Sequence, residues 1–170
     1  MNCPDCGHDN IPGADICEKC GQPLAFDNPG SELERAIIAH PVSVLAMKTP
    51  VSVAPGDTTA EAIECMVGHK IGCVLVRDDK GLVGIFTERD VLNRVSSDRA
   101  ALAQPVSEYM TPNPLTLKES DSIAYALHAM AVNGYRHVPV IDDEGHAVSI
   151  ISSRDVLRLL AVRFADIRDS

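Results

Sequence analysis

Gly84-Ile85-Phe86-Thr87-Glu88-Arg89-Asp90 and, 65 residues later, Ser149-Ile150-Ile151-Ser152-Ser153-Arg154-Asp155 decide how this chain folds. Each is an apolar run that gives way to hydroxyl-x-x-Asp, the pattern of a strand handing over to the first turn of a helix. Downstream, Arg89-Asp90-Val91-Leu92 matches Arg154-Asp155-Val156-Leu157 at the same offset. Upstream the offset becomes 64, pairing Pro41-Val42-Ser43 with Pro105-Val106-Ser107, Asp57 with Asp121, Met66 with Met130, Val74 with Val138 and Gly81 with Gly145. One residue inserted near His146 accounts for the change. Matching in one register over both halves is a duplication.

Read locally, the first copy predicts a short strand Val51-Ser52-Val53 after a turn at Pro50, then a helix capped by Asp57 with Ala60, Ile63, Met66 and Val67 on its apolar face. Cys73-Val74-Leu75-Val76 predicts a second strand, Asp78-Asp79-Lys80-Gly81 a turn, and 82–86 an antiparallel return. Thr87 opens a helix with Val91, Leu92 and Val95 on one face. The second copy repeats the order, with strands at 115–117, 137–141 and 147–151 and helices at 121–133 and 152–164. A β-α-β-β-α unit this small cannot cover its own sheet, so two copies must bury each other. The expected fold class is α/β (α+β), two such repeats packed as a pair behind a small cysteine ribbon. The expected division is 1–24 for the ribbon, 25–40 for a linker and short helix, 41–100 and 101–170 for the repeats.

Composition narrows the function. Hydrophobic residues make up 45% of the chain but aromatics only 4%, so the core is aliphatic. A formal net charge of -9 disfavours a nucleic-acid face, while small anions need only a few local cations and helix N-termini. No stretch reaches the roughly 18 apolar residues of a membrane span. Met1-Asn2-Cys3-Pro4-Asp5 carries no basic or apolar region of a secretory signal, so the expected compartment is the cytoplasm. Reduced, clustered cysteines there point to metal before disulfides.

The repeat, the two Thr/Ser-x-x-Asp segments and Tyr135-Arg136-His137-Val138-Pro139-Val140 together resemble a tandem pair of cystathionine β-synthase (CBS) domains over about residues 42 to 165. Two readings of the Thr-x-x-Asp motifs stand side by side. Thr87 with Asp90, and Ser152 with Asp155, have capping-box spacing. The same helix start also binds phosphate or sugar oxygens, and a carboxylate can accept both hydroxyls of a ribose. The resemblance implies the second use, with the Asp on ribose, the hydroxyl near phosphates and adenine in an apolar slot between repeats. By it, one cleft takes Ile85, Thr87 and Asp90 with Leu115, Tyr135 and Arg136, and the other takes Ile150, Ser152 and Asp155 with Val51, Ile71 and Gly72. Arg136 and His137 read as phosphate-facing cations, with Arg89 and Arg154 as further candidates that are equally well solvated surface charges. Ser149 standing where the first copy has Gly84 is expected to narrow the second cleft, making the Asp90 side the better site. His69 and His128 read as surface or half-buried helix residues without a role.

Cys3-Pro4-Asp5-Cys6-Gly7 and Cys17-Glu18-Lys19-Cys20-Gly21 are two C-x-x-C-G knuckles separated by ten residues. Two knuckles make a tetrahedral Cys₄ set, for which Zn²⁺ is the usual metal, and the segment resembles short zinc ribbons. A rubredoxin-type iron site shares the spacing but belongs to a longer, aromatic-packed fold, whereas this segment offers only Phe26. No residue is placed as a ligand of an open site, and His8 reads as exposed, so the metal is expected to be structural. Lys19 is the one basic residue of 1–27 against five acidic ones, which suits protein docking better than nucleic acid. Ala25 to Gly30 reads as a linker and Ser31 with Glu34 as the start of a short helix. Cys65 and Cys73 read as small apolar fillers. No catalytic constellation emerges, so the expected function is a non-catalytic sensor of adenine nucleotides (AMP, ADP or ATP, with or without Mg²⁺). The expected assembly is a homodimer reporting to a regulated protein in trans. Alternatives are a sensor of S-adenosylmethionine or another adenosyl ligand, and a ligand-free protein adaptor whose motifs are only caps.

Overall fold

The computed structural model describes residues 3, 6–11, 14, 16–22, 40–45 and 48–168, with side chains through 162. The expected linker and helix at 25–38 lie outside the described residues. The chain forms two compact units, one of Met47–Lys118 with His137–Ile151, the other of Met1–Ala46, Glu119–Arg136 and Ser152–Ser170. Each draws on both sequence repeats, and the reason lies in the backbone.

In the first of these units, β1 (Ser52–Val53) pairs parallel with β2 (Cys73–Asp78), crossing through helix α1 (Thr59–His69). β2 returns antiparallel as β3 (Gly81–Thr87), with Cys73 opposite Thr87, Leu75 opposite Ile85 and a bulge between Val76 and Arg77. The sheet order is β1-β2-β3-β4, where β4 (Thr111–Pro112) is the leader of the second repeat and pairs Pro112 with Gly84 and Thr111 with Ile85. A second sheet has the order β5 (Leu117–Lys118), β6 (His137–Ile141) and β7 (Ala147–Ser152), with Leu117 opposite Val140.

Alternation along β2 sorts the core into two layers. Val74 and Val76, with Phe86 of β3, face Ala62 and Met66 of α1 and Val95, Ala101 and Val106 from the turns that follow. Cys73, Leu75 and Ile85 face the other way and pack with Ala147, Ile141 and Ile150 of the second sheet. Burial raises the Cys73 thiol, reinforced by the charge of Glu88, to a pKa of about 12, so it behaves as the apolar filler expected from sequence.

Three sequence expectations are corrected. The cap of α1 is Thr58, not Asp57: Thr58 and Glu61 form a full capping box, while the Asp57 carboxylate accepts the Ala54 amide at 2.8 Å. The buried face of α1 runs Thr59, Ala62, Met66, which turns Val67 outward at 71% exposure. After Thr87 only Glu88–Asp90 (α2) is α-helical, and the chain widens into a π turn, Val91–Val95, that points Val95 inward and leaves Leu92 exposed. Arg94 of this turn donates to the carbonyls of Glu108, Tyr109 and Met110 at 2.8, 2.7 and 3.1 Å.

In the other unit, helix α3 (Ile123–Asn133) packs on helix α4 (Ser153–Arg168). Its cap is Ser122, whose hydroxyl accepts the Tyr125 amide at 3.1 Å, in place of the expected Asp121. His128 is buried on α3, beyond the surface or half-buried place expected for it, because α3 is covered on more than the face of Ala126 and Met130. The leader of the first repeat docks here: Val42 N–H donates to Asp121 O, Ser43 N–H to Glu119 O, and Ile123 N–H to His40 O. In the first unit the equivalent positions repeat the scheme, with Val106 to Asp57, Ser107 to Pro55 and Thr59 to Gln104. Each Pro-Val-Ser leader therefore seals the helix start of the other repeat.

Phe86 is fully buried between β3 and α1. Phe86→Ala is expected to cost about 3–5 kcal/mol of stability by urea denaturation, and a loss below about 1 kcal/mol would contradict this packing.

Candidate functional site

The cysteine cluster is built by two backbone turns of the same design. Cys3 N–H donates to His8 O at 2.7 Å and Gly7 N–H to Cys3 O at 2.9 Å; Cys17 N–H donates to Gln22 O at 2.7 Å and Gly21 N–H to Cys17 O at 2.8 Å. Gly7 and Gly21 sit at φ 70° and 73°, a left-handed region where a side chain would be strained. The turns bring all four sulfurs within 4.8 Å of one another. Cys3 Sγ lies 3.6 Å from Cys20 Sγ, and Cys6 Sγ 3.7 Å from Cys17 Sγ. Four sulfurs held about 2.3 Å from a tetrahedral ion stand about 3.8 Å apart, so the cluster fits one. Cys3, Cys6, Cys17 and Cys20 could hold a metal ion. An all-thiolate set is soft and leaves no open position, which is structural rather than catalytic chemistry.

Asn10, which belongs to no motif in the sequence, is 4% exposed and ties the two turns together. Its Nδ2 donates to His8 O at 2.9 Å and reaches Cys17 Sγ at 3.6 Å, and its Oδ1 accepts the Glu18 amide at 3.0 Å. His8, expected to be exposed, is half-buried because its carbonyl closes the first turn. Burial pushes the Cys17 thiol up, but the amides of Cys20 and Lys19 and the Asn10 side chain outweigh it and bring the pKa to about 6. For Cys20 the Gln22 amide lowers the pKa, yet burial and the neighbouring sulfurs of Cys6, Cys3 and Cys17 carry it up to about 12. The Cys17 thiol thus ionises readily, while Cys20 is held protonated beside it.

The second group of candidate residues sits where strands meet helices. Thr87 and Asp90 form the capping box: Thr87 N–H and Oγ1 donate to Asp90 Oδ2 at 2.9 and 2.7 Å, and Asp90 N–H returns to Oγ1 at 3.4 Å. The Thr87 proton is thus committed to the carboxylate. Asp90 is half-buried, and the hydrogen bonds its carboxylate makes among the described residues run through Oδ2. Ser152 and Asp155, in the other unit, make the same contacts at 2.9 and 2.6 Å, but Asp155 is buried.

In the unit of Asp90, Ile85 and Ile150 point into the layer between the sheets, while Val51 and Ile71 pack on the α1 side. Leu115 is half-buried ahead of β5, and Arg89 is exposed. His137 and Gly72, assigned to different clefts from sequence, touch: a Cβ on Gly72 would lie 2.9 Å from His137 Cε1, with the Glu88 carboxylate behind it. Glu88 is also held by backbone, its N–H donating to Gly72 O at 3.0 Å. In the other unit Tyr135, Arg136 and Arg154 are exposed, and the Arg136 carbonyl accepts the Ser153 amide at 3.1 Å. The difference between Gly84 and Ser149 serves the sheet edges. A Cβ at Gly84 would overlap the Met110 sulfur, whereas the Ser149 hydroxyl is buried and clasps Lys48 N–H and C=O at 3.1 Å each.

The CBS domain profile matches residues 42–97 and 106–162, the two copies of the repeat. This chain belongs to the CBS domain family. Among relatives by sequence, a 17.7 kDa protein of Acidianus ambivalens is 36% identical over 124 residues, 72% of this chain and 74% of its own length. The inosine-5'-monophosphate dehydrogenase of Methanocaldococcus jannaschii is 34% identical over 115 residues; there the match spans 67% of this chain but 22% of the dehydrogenase. Among solved structures, a CBS domain pair in complex with 5'-methylthioadenosine and S-adenosyl-L-methionine superposes with a TM-score of 0.67 at 25% identity, covering 74% of this chain and 98% of that one. CBSX2 in complex with AMP gives 0.60 at 25% identity, covering 72% and 96%. Both CBS profile matches begin at Val42 or later, beyond the cysteine cluster.

The cysteine cluster makes its own prediction. The full chain is expected to take up one thiophilic divalent ion, measured by elemental analysis, and Cys17→Ser to reduce that uptake at least tenfold. Protons compete for the thiolates, so affinity should fall as pH falls. Uptake unchanged by the substitution would rule the cluster out as the site.

Proposed function

We propose that the chain is a non-catalytic regulatory module that binds an adenosine-type ligand through its CBS repeats and carries a structural zinc ribbon. The observation that carries this reading is the Asp90 carboxylate: half-buried at a helix start, with its cap bonds confined to Oδ2. That leaves Oδ1 to accept the vicinal hydroxyls of a ribose, a group common to AMP, 5'-methylthioadenosine and S-adenosylmethionine. Similar CBS pairs hold those compounds.

Ribose at Asp90 is chemically better founded than phosphate at Thr87, whose hydroxyl proton already points at the carboxylate. By the family resemblance, Ile85, Leu115, Tyr135, Arg136, His137, Ser152, Asp155, Ile150, Val51, Ile71 and Gly72 are the further residues assigned to ligand binding, with Arg89 and Arg154 as outer cations. The expected ligands are AMP, ADP or ATP, with Mg²⁺ accompanying the longer phosphate chains. A ligand-dependent change in the pair would then be read by a partner in trans, the module itself acting as a homodimer.

One observation favours a second reading. In both hydroxyl-x-x-Asp motifs the hydroxyl and the amide of the first residue already bond the carboxylate, as a helix cap requires. In that reading the chain is a protein adaptor.

Calorimetric titration with AMP, ATP and S-adenosylmethionine separates the two. Saturable heat is expected with at least one nucleotide, weakened tenfold or more by Asp90→Asn, which keeps an acceptor for the Thr87 amide. Heat with the sulfonium compound alone would replace the nucleotide by an adenosyl ligand. No heat with any of the three would establish the adaptor.

A further inference from the structure

The cysteine centre is asymmetric in a way its sequence motif is not. The two knuckles superimpose in sequence at an offset of 14, Cys3 on Cys17 and Gly7 on Gly21, yet that offset carries Asn10 onto Leu24, which has no polar group. The buried amide of Asn10 reaches both turns but donates to the sulfur of Cys17. Both ends of the amide are engaged: Oδ1 accepts from Glu18 N–H, and Nδ2 donates to His8 O and to Cys17 Sγ.

We infer that Asn10 is a positioning residue of the metal centre, donating an N–H to the Cys17 sulfur while locking the two knuckles at their metal-binding separation. The inference rests on the metal reading of the cluster given above. Four thiolates around a divalent ion leave two net negative charges on sulfur, and each N–H aimed at a sulfur spreads that charge and steadies the ligand. The first turn is held through the His8 carbonyl and the second through the Glu18 amide, so one side chain spans both halves of the ligand set. Neither Asp nor Ala can replace it. Asp would keep the Glu18 bond but turn an acceptor toward an anionic sulfur; Ala would keep neither.

The test uses the full chain with Co²⁺ as the probe, because its sulfur-to-metal charge-transfer band reports the electron density on the thiolates. Asn10→Ala and Asn10→Asp are each expected to bind Co²⁺ and Zn²⁺ about 10–100-fold more weakly in chelator competition, as outer-shell changes do. In both, the charge-transfer band is expected to move to lower energy, since a sulfur stripped of a hydrogen bond gives up its electrons more easily. Asn10→Asp retains the clamp on Glu18 and removes both bonds made by Nδ2, to the His8 carbonyl and to Cys17 Sγ, so the band position, which follows the electron density on sulfur, reports the sulfur contact. Wild-type affinity and an unshifted band in Asn10→Asp would overturn the inference while leaving the metal centre in place. Absence of any charge-transfer band in the unmodified chain would overturn the metal reading itself, and this inference with it.

Discussion

Everything in the repeat region hangs on an exchange of backbone hydrogen bonds between the two copies. The amide donors at the start of each crossover helix have no intrahelical partners, and burying them unpaired is costly. Here the leading segment of the opposite copy supplies a carbonyl to one of them, His40 O to Ile123 N–H and Gln104 O to Thr59 N–H. Its own amides donate to the carbonyls ahead of the helix, Val42 and Ser43 to Asp121 and Glu119, Val106 and Ser107 to Asp57 and Pro55, residue for residue at the offset of 64. The same leaders continue as edge chains, Thr111–Pro112 along β3 and Lys48 clasped by Ser149 of β7. Neither copy completes its own helix start or its own sheet edge, and each compact unit is therefore a composite of both.

That exchange explains what the sequence disclosed and what it hid. The duplication, the strand order and the aliphatic core were readable because they follow from local periodicity and from matched residues such as Val74 with Val138. Helix starts were misplaced by one residue because Asp57 and Thr58 are both good caps. The choice is made by a partner segment some fifty residues away, which docks on the Asp57 carbonyl through Val106. The two-residue strand β4 and the π turn after Asp90 carry no periodic signal of their own, and contacts such as that of Arg94 with 108–110 support them.

The cysteine cluster was wholly legible, since the spacing of a C-x-x-C-G pair is dictated by the turn that presents two sulfurs. The support around it was not. Asn10 belongs to no motif, and its role appears only when its amide is seen between the His8 carbonyl, the Glu18 amide and the Cys17 sulfur. The candidate ligand residues fall between these cases. Thr87 and Asp90 were found together, but the contact of His137 with Gly72 depends on strand placement that the repeat alone does not specify.

The crossed leaders also constrain how this molecule can be taken apart. Cleavage in the Ser97–Arg99 connection would yield two fragments, each keeping the strap that belongs on its neighbour and missing the one it requires. Such pieces should be stable chiefly in company, so the duplicated half behaves as an inseparable complement and not as a portable building block.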